Sequence, residues 1–467
     1  MSPYNRDMRT SLRAASVLLS LLLAVFTPFV LSGYLELRKA ESASSHLEAA
    51  EHYRAAARRI FWRADLYELA GHYFYHAGEY TRADAAYQRA FDRRALSPEG
   101  WVAWGDVNYL NGDPERAEAL WEQGLAEPHP SENLLTRLAE MAQQDKAYEK
   151  AALYLRRYVE NHAEDASARY RLGLLLTLSD PDEALSQLLH ASQLDPEFDP
   201  ATQSLRTALN LSALSETPSQ GKVVIGRGLG LVAAWDLALA AFHQAVELDE
   251  TNAEAWAWLA EAEQKSAGEE VFVHLQRALE LNPDSPVVRG LRGLYFQRTG
   301  NYGQALIEFQ AAAKLEPEEP AWYISIGEAY AAYGDLILAL QAYQYATMLA
   351  PENASYWRLL AEFCARYHAN IRDVGLPAAR QALLLTPDDP QALDMLGWLL
   401  VLDGRYYEAE RILLRSLEAN PELASVHYHL ALLYLQTDDP SAMFLHLSRA
   451  SELGSEEAGM LLKSYFP

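Results

Sequence analysis

The chain has 467 residues, half of them apolar and 22% charged, a balance that excludes wholesale disorder and leaves room for two or three ordinary domains or one long repeat array. Lys and Arg number 39 against 64 Asp and Glu, a formal charge of -25, and a field of that sign repels phosphate backbones, which excludes nucleic acid as a partner. The acidity is read as keeping a long array from self-associating.

In chain order, residues 1–13 form a short basic tail carrying Arg6, Arg9 and Arg13. Ala14 to Gly33 then runs without a charge, long enough as a helix to cross a hydrocarbon core. The three arginines also fit a secretory signal peptide, but the exit reads Val-Leu-Ser-Gly-Tyr with no Ala-x-Ala pattern. The expectation is therefore an uncleaved single-pass anchor over residues 14–35, membrane-localised, with the tail inside and the bulk of the chain extracytoplasmic. Ala49, Tyr53 and Ala56 mark half a helical unit just beyond it.

Internal periodicity governs the rest. Gly293, Phe296, Ala305, Phe309, Ala312 and Pro317 recur 34 residues on as Gly327, Tyr330, Ala339, Tyr343, Ala346 and Pro351. The same frame fits Gly71 to Ala90, Trp101 to Gly124 and Gly397 to Pro421, and it gives eleven units starting near 64, 98, 132, 166, 219, 253, 286, 320, 354, 390 and 424. Each unit reads as two antiparallel helices: a small residue in the first admits a large one from the second, glycine turns the chain at Gly300, Gly334 and Gly404, and proline stops it. Units fill residues 44–198 and 219–467, the latter with a closing helix from Glu456. Residues 199–218 interrupt them as an odd helix and loop, and a smaller insertion falls around His368 to Asp373.

This pattern resembles the tetratricopeptide repeat family, most fully over Trp101 to Trp121 and Gly293 to Pro351. The resemblance implies an all-α fold, a right-handed superhelical solenoid of antiparallel hairpins, here preceded by one transmembrane helix. It also implies that the first helix of every hairpin lines a concave face that holds partner proteins or peptides. On this reading the chain is a membrane-anchored interaction scaffold and not an enzyme.

The rival signal is Lys222 to Leu231, which looks like a strand entering a glycine-rich phosphate loop at Gly226 to Gly230. It would make the chain an enzyme or enzyme subunit, but the third glycine comes one position early and Gly226 also falls where the repeat wants its small residue. A role as an envelope or polysaccharide assembly accessory differs from the scaffold only in its partner. His72 and His76, four apart, could share a metal from one helix face, but no third ligand accompanies them. His427 and His429, two apart, point to different sides, and Cys364 reads as a small buried hydrophobe. No catalytic residue, cofactor or metal site is expected.

Candidate groove residues are those on the first helices opposite the packing stripe. In the first block these are Asp65, Glu68, His72, Tyr75, Asp106, Tyr109 and Glu140, an acidic and aromatic set suited to a basic or aromatic peptide. In the second they include Arg298, Glu328, Arg358, Glu362, Arg366, Trp398 and Tyr428, arginines mixed with aromatics. The Lys, Asn, Asn, Lys, Arg set with which some family members clamp a terminal carboxylate is not found.

Overall fold

Proline or a side-chain acceptor opens most of the helices. Ser97, Asp113, Thr217 and Ser285 each accept a hydrogen bond from the backbone N–H three residues on, and each is followed by a proline whose missing N–H costs nothing in the first turn. A computed structural model of the chain, which describes residues 24, 26–94, 96–266, 268 and 270–465, places 26 α-helices among them and divides into two compact units, residues 1–211 and 212–467.

In the first unit a helix over residues 26–41 (α1) precedes His46–Arg59 (α2). Four hairpins follow: Asp65–His76 (α3) with Tyr80–Asp92 (α4), Pro98–Leu110 (α5) with Pro114–Leu125 (α6), Asn133–Gln144 (α7) with Tyr148–Asn161 (α8), and Ala166–Leu176 (α9) with Pro181–Leu194 (α10). The interruption is a short 3₁₀ turn, Pro196–Phe198, running into a regular helix, Asp199–Ala213 (α11), which is tied back where Thr202 Oγ1 donates to the Leu188 carbonyl.

The second unit holds seven hairpins: Pro218–Leu231 (α12) with Trp235–Leu248 (α13), Ala253–Lys265 (α14) with Val271–Leu281 (α15), Pro286–Arg298 (α16) with Tyr302–Leu315 (α17), Pro320–Tyr333 (α18) with Leu336–Leu349 (α19), Ala354–Arg366 (α20) with Leu376–Leu385 (α21), Pro390–Leu402 (α22) with Tyr406–Ala419 (α23), and Ala424–Gln436 (α24) with Pro440–Glu452 (α25). Glu456–Tyr465 (α26) closes it. Every first helix begins within one residue of its expected start. The insertion near residue 370 becomes a π turn, Ile371–Gly375, wound directly into α21.

One contact recurs in both units and explains the periodicity. The small residue of the first helix faces a large ring or branched chain of the second: Gly71 on Tyr87, Gly105 on Trp121, Gly226 on Phe242, Gly293 on Phe309 and Gly327 on Tyr343. A Cβ at Gly293 would lie 2.4 Å from the Phe309 ring, so only glycine allows the helices this approach. The turn between helices needs a left-handed residue. Gly300 and Gly334 supply it at φ +77° and +97°, whereas Ala233 takes the same conformation at φ +60° against its steric preference.

Among the described residues no helix is long and apolar enough to cross a membrane. This overturns the expected anchor over 14–35 and the membrane localisation drawn from it. Residues 14–23 and 25 of that segment lie outside the described residues. Its remainder belongs to α1, which continues into Glu36, Arg38, Lys39 and Glu41 and is docked on α2. Gly33 lies against Ile60, where a Cβ would come within 2.6 Å of Cγ1. Glu36 pairs with His52 at 2.6 Å and with Arg59 at 3.1 Å. Burial opposes ionisation of Glu36, yet hydrogen bonds from His52, Arg59 and Lys39 outweigh it and hold the carboxyl down at about 2. α1 is thus the first helix of one more hairpin, completing the half unit read at Ala49 to Ala56.

Candidate functional site

In the first unit the first helices α3, α5 and α7 present side chains to a common cleft. Tyr75, Asp106, Tyr109 and Glu140 line it together with Trp121, Arg137, Met141 and Gln144. Its volume of about 180 Å³ falls below that of typical small-molecule pockets and suits a single side chain. The floor is an ion pair. Arg137 donates to both oxygens of Asp106, at 2.8 and 3.2 Å, and its Nη1 donates to Glu140 at 3.3 Å. The hydrogen bond to Asp106 is the main reason the guanidinium is held above its ordinary range. The Tyr109 hydroxyl donates to Gln144 at 2.8 Å, and burial pushes the Tyr75 phenol up.

The acidic character expected of this block is therefore spent internally. Asp106 is occupied by Arg137, and Asp65 is bound through both oxygens by Arg63 at 2.9 and 2.7 Å. Glu68 is buried and reaches forward to the next hairpin, accepting from the Ser97 backbone N–H at 2.8 Å and from the Ser97 hydroxyl. It fixes the N-terminus of α5 and is not displayed to a partner. His72 turns to the Tyr87 hydroxyl at 3.0 Å.

In the second unit two clefts of about 340 Å³ each lie side by side. Gln297, Glu328, Tyr343, Leu359 and Tyr367 line the first, while Arg358, Asp394, Met395, Trp398, Leu423 and His429 line the second. Glu362 and Arg366 border both, so the two form one trough along α16, α18, α20, α22 and α24. Glu362 and Arg366 pair with each other at 2.5 Å. Trp398 stacks flat on His429, ring centroids 4.6 Å apart and 8° between planes, and His429 Nδ1 hydrogen-bonds the buried Asp394 at 2.8 Å. Ser425 lies four residues before His429 in the same cleft, with no hydrogen bond between the two among the described residues. Arg298 is outside the trough, bound to Glu261 at 2.6 and 2.9 Å and to Gln264 at 2.7 Å. Tyr428 packs towards the C-terminal cluster of Ala431, Met443, Leu447 and Ala458.

Residues 68–133 and 291–354 match the family model of the tetratricopeptide repeat. No curated protein matches the chain. Solved structures similar to it include yeast Tom70, at 15% identity over 95% of each chain with a TM-score of 0.42. Another is a tetratricopeptide repeat protein from Parabacteroides merdae, at 13% identity over 52% of this chain and 97% of that one, TM-score 0.42. A third is YrrB, a tetratricopeptide repeat protein with an unusual peptide-binding site, at 18% identity over 41% and 97%, TM-score 0.31.

Repeat geometry also disposes of the phosphate-loop alternative. Lys222 to Leu231 lies wholly within α12, with no strand before it, and a Cβ at Gly226 would come 2.5 Å from the Phe242 ring. The glycine-rich spacing is a consequence of hairpin packing, so its backbone N–H groups are committed to the helix and cannot cradle a phosphate. His76 lies against the ring of His46, apart from His72, and no group of three or more His, Cys, Asp or Glu among the described residues is placed to hold a metal ion. His427 faces His446 while His429 faces Asp394, as two residues apart on a helix require. Cys364 is buried and its thiol is pushed up to about 11 by burial.

The residues that sequence reasoning missed are partners on neighbouring repeats. Arg137 lies 31 positions after Asp106, Gln144 lies 35 after Tyr109, His429 lies 35 after Asp394 and Arg298 lies 37 after Glu261. All are near the repeat length, one helical turn either way, because successive first helices lie side by side. A search for complementary side chains at that offset would have found them.

Proposed function

We propose that the chain is a non-catalytic interaction scaffold that holds an extended segment of a partner protein in the trough of its second unit. The observation that carries this reading is the continuity of that trough: two clefts share Glu362 and Arg366, and five successive first helices contribute to it. A segment lying across it meets a flat aromatic plate at Trp398 and half-buried polar groups on either side, the mixture that gives a peptide groove both area and register. The peptide-binding site named for YrrB is consistent with such a use of the fold. The first-unit cleft, with its acids neutralised, is a smaller accessory pocket and not the site for a basic peptide.

The test is selection of binders from a random peptide library on the full chain, followed by affinity measurement on variants. Trp398→Ala is expected to weaken the enriched peptides about tenfold or more, as loss of a central aromatic anchor does. Tyr407→Ala, on the exposed second helix α23, is expected to leave them unchanged. Peptides indifferent to Trp398→Ala, or lost on Tyr407→Ala, would place binding elsewhere.

A further inference from the structure

The trough's second cleft carries four charged side chains besides His429, and all but one are matched. Arg366 is bound to Glu362 at 2.5 Å, and Asp394 is taken by His429 at 2.8 Å. Arg358, half-buried in the wall formed by α20, has no ion-pair or hydrogen-bond partner among the described residues. This happens in a unit with 17 Lys and Arg against 34 Asp and Glu, a net -17, where an acidic neighbour is easy to supply. A half-buried guanidinium keeps its charge, so leaving it without an anion is unfavourable unless a ligand brings one.

The surroundings define what else that ligand carries. The Trp398–His429 stack forms a rigid plate, held from below by the Asp394 hydrogen bond, and Met395, Leu423 and Ala365 complete an apolar surface around it. We propose that this cleft receives a carboxylate of the partner segment on Arg358, next to an apolar side chain laid flat on Trp398. The inference rests on the groove reading above and gives the partner its chemistry: an acidic residue adjoining an aromatic or aliphatic one. A basic segment finds no match, because both carboxylates of the cleft are already bound. The net -17 of the unit slows the approach of an acidic segment. Residence is set instead by the contact itself, where the planar fork of arginine gives two parallel hydrogen bonds to a carboxylate.

Fluorescence polarisation on the full chain tests this with three rhodamine-labelled, end-blocked peptides of alternating Asp and Phe, Gln and Phe, and Lys and Phe. The Asp-Phe peptide is expected to bind tightest. Arg358→Ala should weaken it about tenfold or more and leave the Gln-Phe peptide within about twofold, whereas Arg358→Lys should cost less than Arg358→Ala. Arg380→Ala, at an exposed position on α21, serves as the control that changes neither. Melting curves of all four variants, Trp398→Ala included, check that the fold is retained. Tightest binding of the Lys-Phe peptide, or an Asp-Phe affinity unmoved by Arg358→Ala, overturns the inference, and if Trp398→Ala still weakens binding the groove reading survives it. Binding by none of the peptides, or binding indifferent to Trp398→Ala, takes both down together.

Discussion

Gly105→Ala and Gly303→Ala are the same chemical change in two helices, and the packing predicts opposite signs. Gly303 sits near the start of α17 with no atom within 4 Å of the place a methyl would occupy, so alanine there restricts the unfolded chain and favours the helix, a gain of about 0.4–1 kcal/mol. At Gly105 the added Cβ would lie 2.0 Å from Trp121 Nε1 and 2.3 Å from Cδ1, so the ring must retreat by more than an ångström. Trp121 is 3% exposed, and its N–H donates to the Val102 carbonyl at 3.1 Å, which leaves it little room to move. Overpacking of this kind costs about 1–3 kcal/mol, and the strained hydrogen bond adds about 1 more. The helix-propensity gain of about 1 kcal/mol returns only part of this, so the expected net loss is about 2 kcal/mol. Urea unfolding followed by circular dichroism measures both variants, with hydrogen exchange locating the loss at α5 and α6. A Gly105→Ala protein as stable as wild type, or stabilised like Gly303→Ala, would refute the account of hairpin packing.

Four further outcomes are expected. Ala233→Gly should raise the melting temperature, because it relieves a left-handed alanine worth about 1 kcal/mol, and hydrogen exchange should slow at the α12–α13 turn. Gly226→Ala should destabilise the second unit through Phe242, and neither the variant nor wild type should shift its melting temperature when nucleotides are added. Burial opposes ionisation of Glu68, but His72 and Ser97 outweigh it and hold the carboxyl below its ordinary value of 4.5. Its contribution is therefore fully present above that value and lost as pH falls through the lower folded one, so the stability gap between wild type and Glu68→Gln should shrink on acidification. The same sign holds for Glu36, with the window running from about 4.5 down to about 2. Its partners His52 and Arg59 are still 25% and 34% exposed, so Glu36→Gln should cost only about 1 kcal/mol at neutral pH, seen as faster exchange in α1.

The hairpin frame was legible because its signal is local. Gly105 and Trp121 are 16 residues apart within one unit, and the prolines at 98, 286, 320 and 390 mark first helices without reference to anything distant. The composition of the groove was much less so. Tyr75, Asp106, Tyr109 and Glu140 do converge, yet whether Asp106 is free depends on Arg137 in the next hairpin, and that depends on how successive first helices cross. Glu68 and Arg298 were placed on the groove face by helical position alone, but each reaches sideways to a neighbouring repeat. At the N-terminus an uncharged run suggested a membrane span, while the reasons α1 docks on α2 lie in single residues, Gly33 and Glu36, whose partners at Ile60, His52 and Arg59 are 16 to 27 positions away.

The scaffold reading is tested most directly by a photoreactive phenylalanine analogue placed at Trp398 or Leu359 in the trough and, for comparison, at the exposed Tyr407 on the far side of the same unit's hairpins. The account predicts that a peptide selected on the full chain crosslinks at the two trough positions and not at Tyr407. Crosslinking at Tyr407 alone, with both trough positions silent, would contradict it.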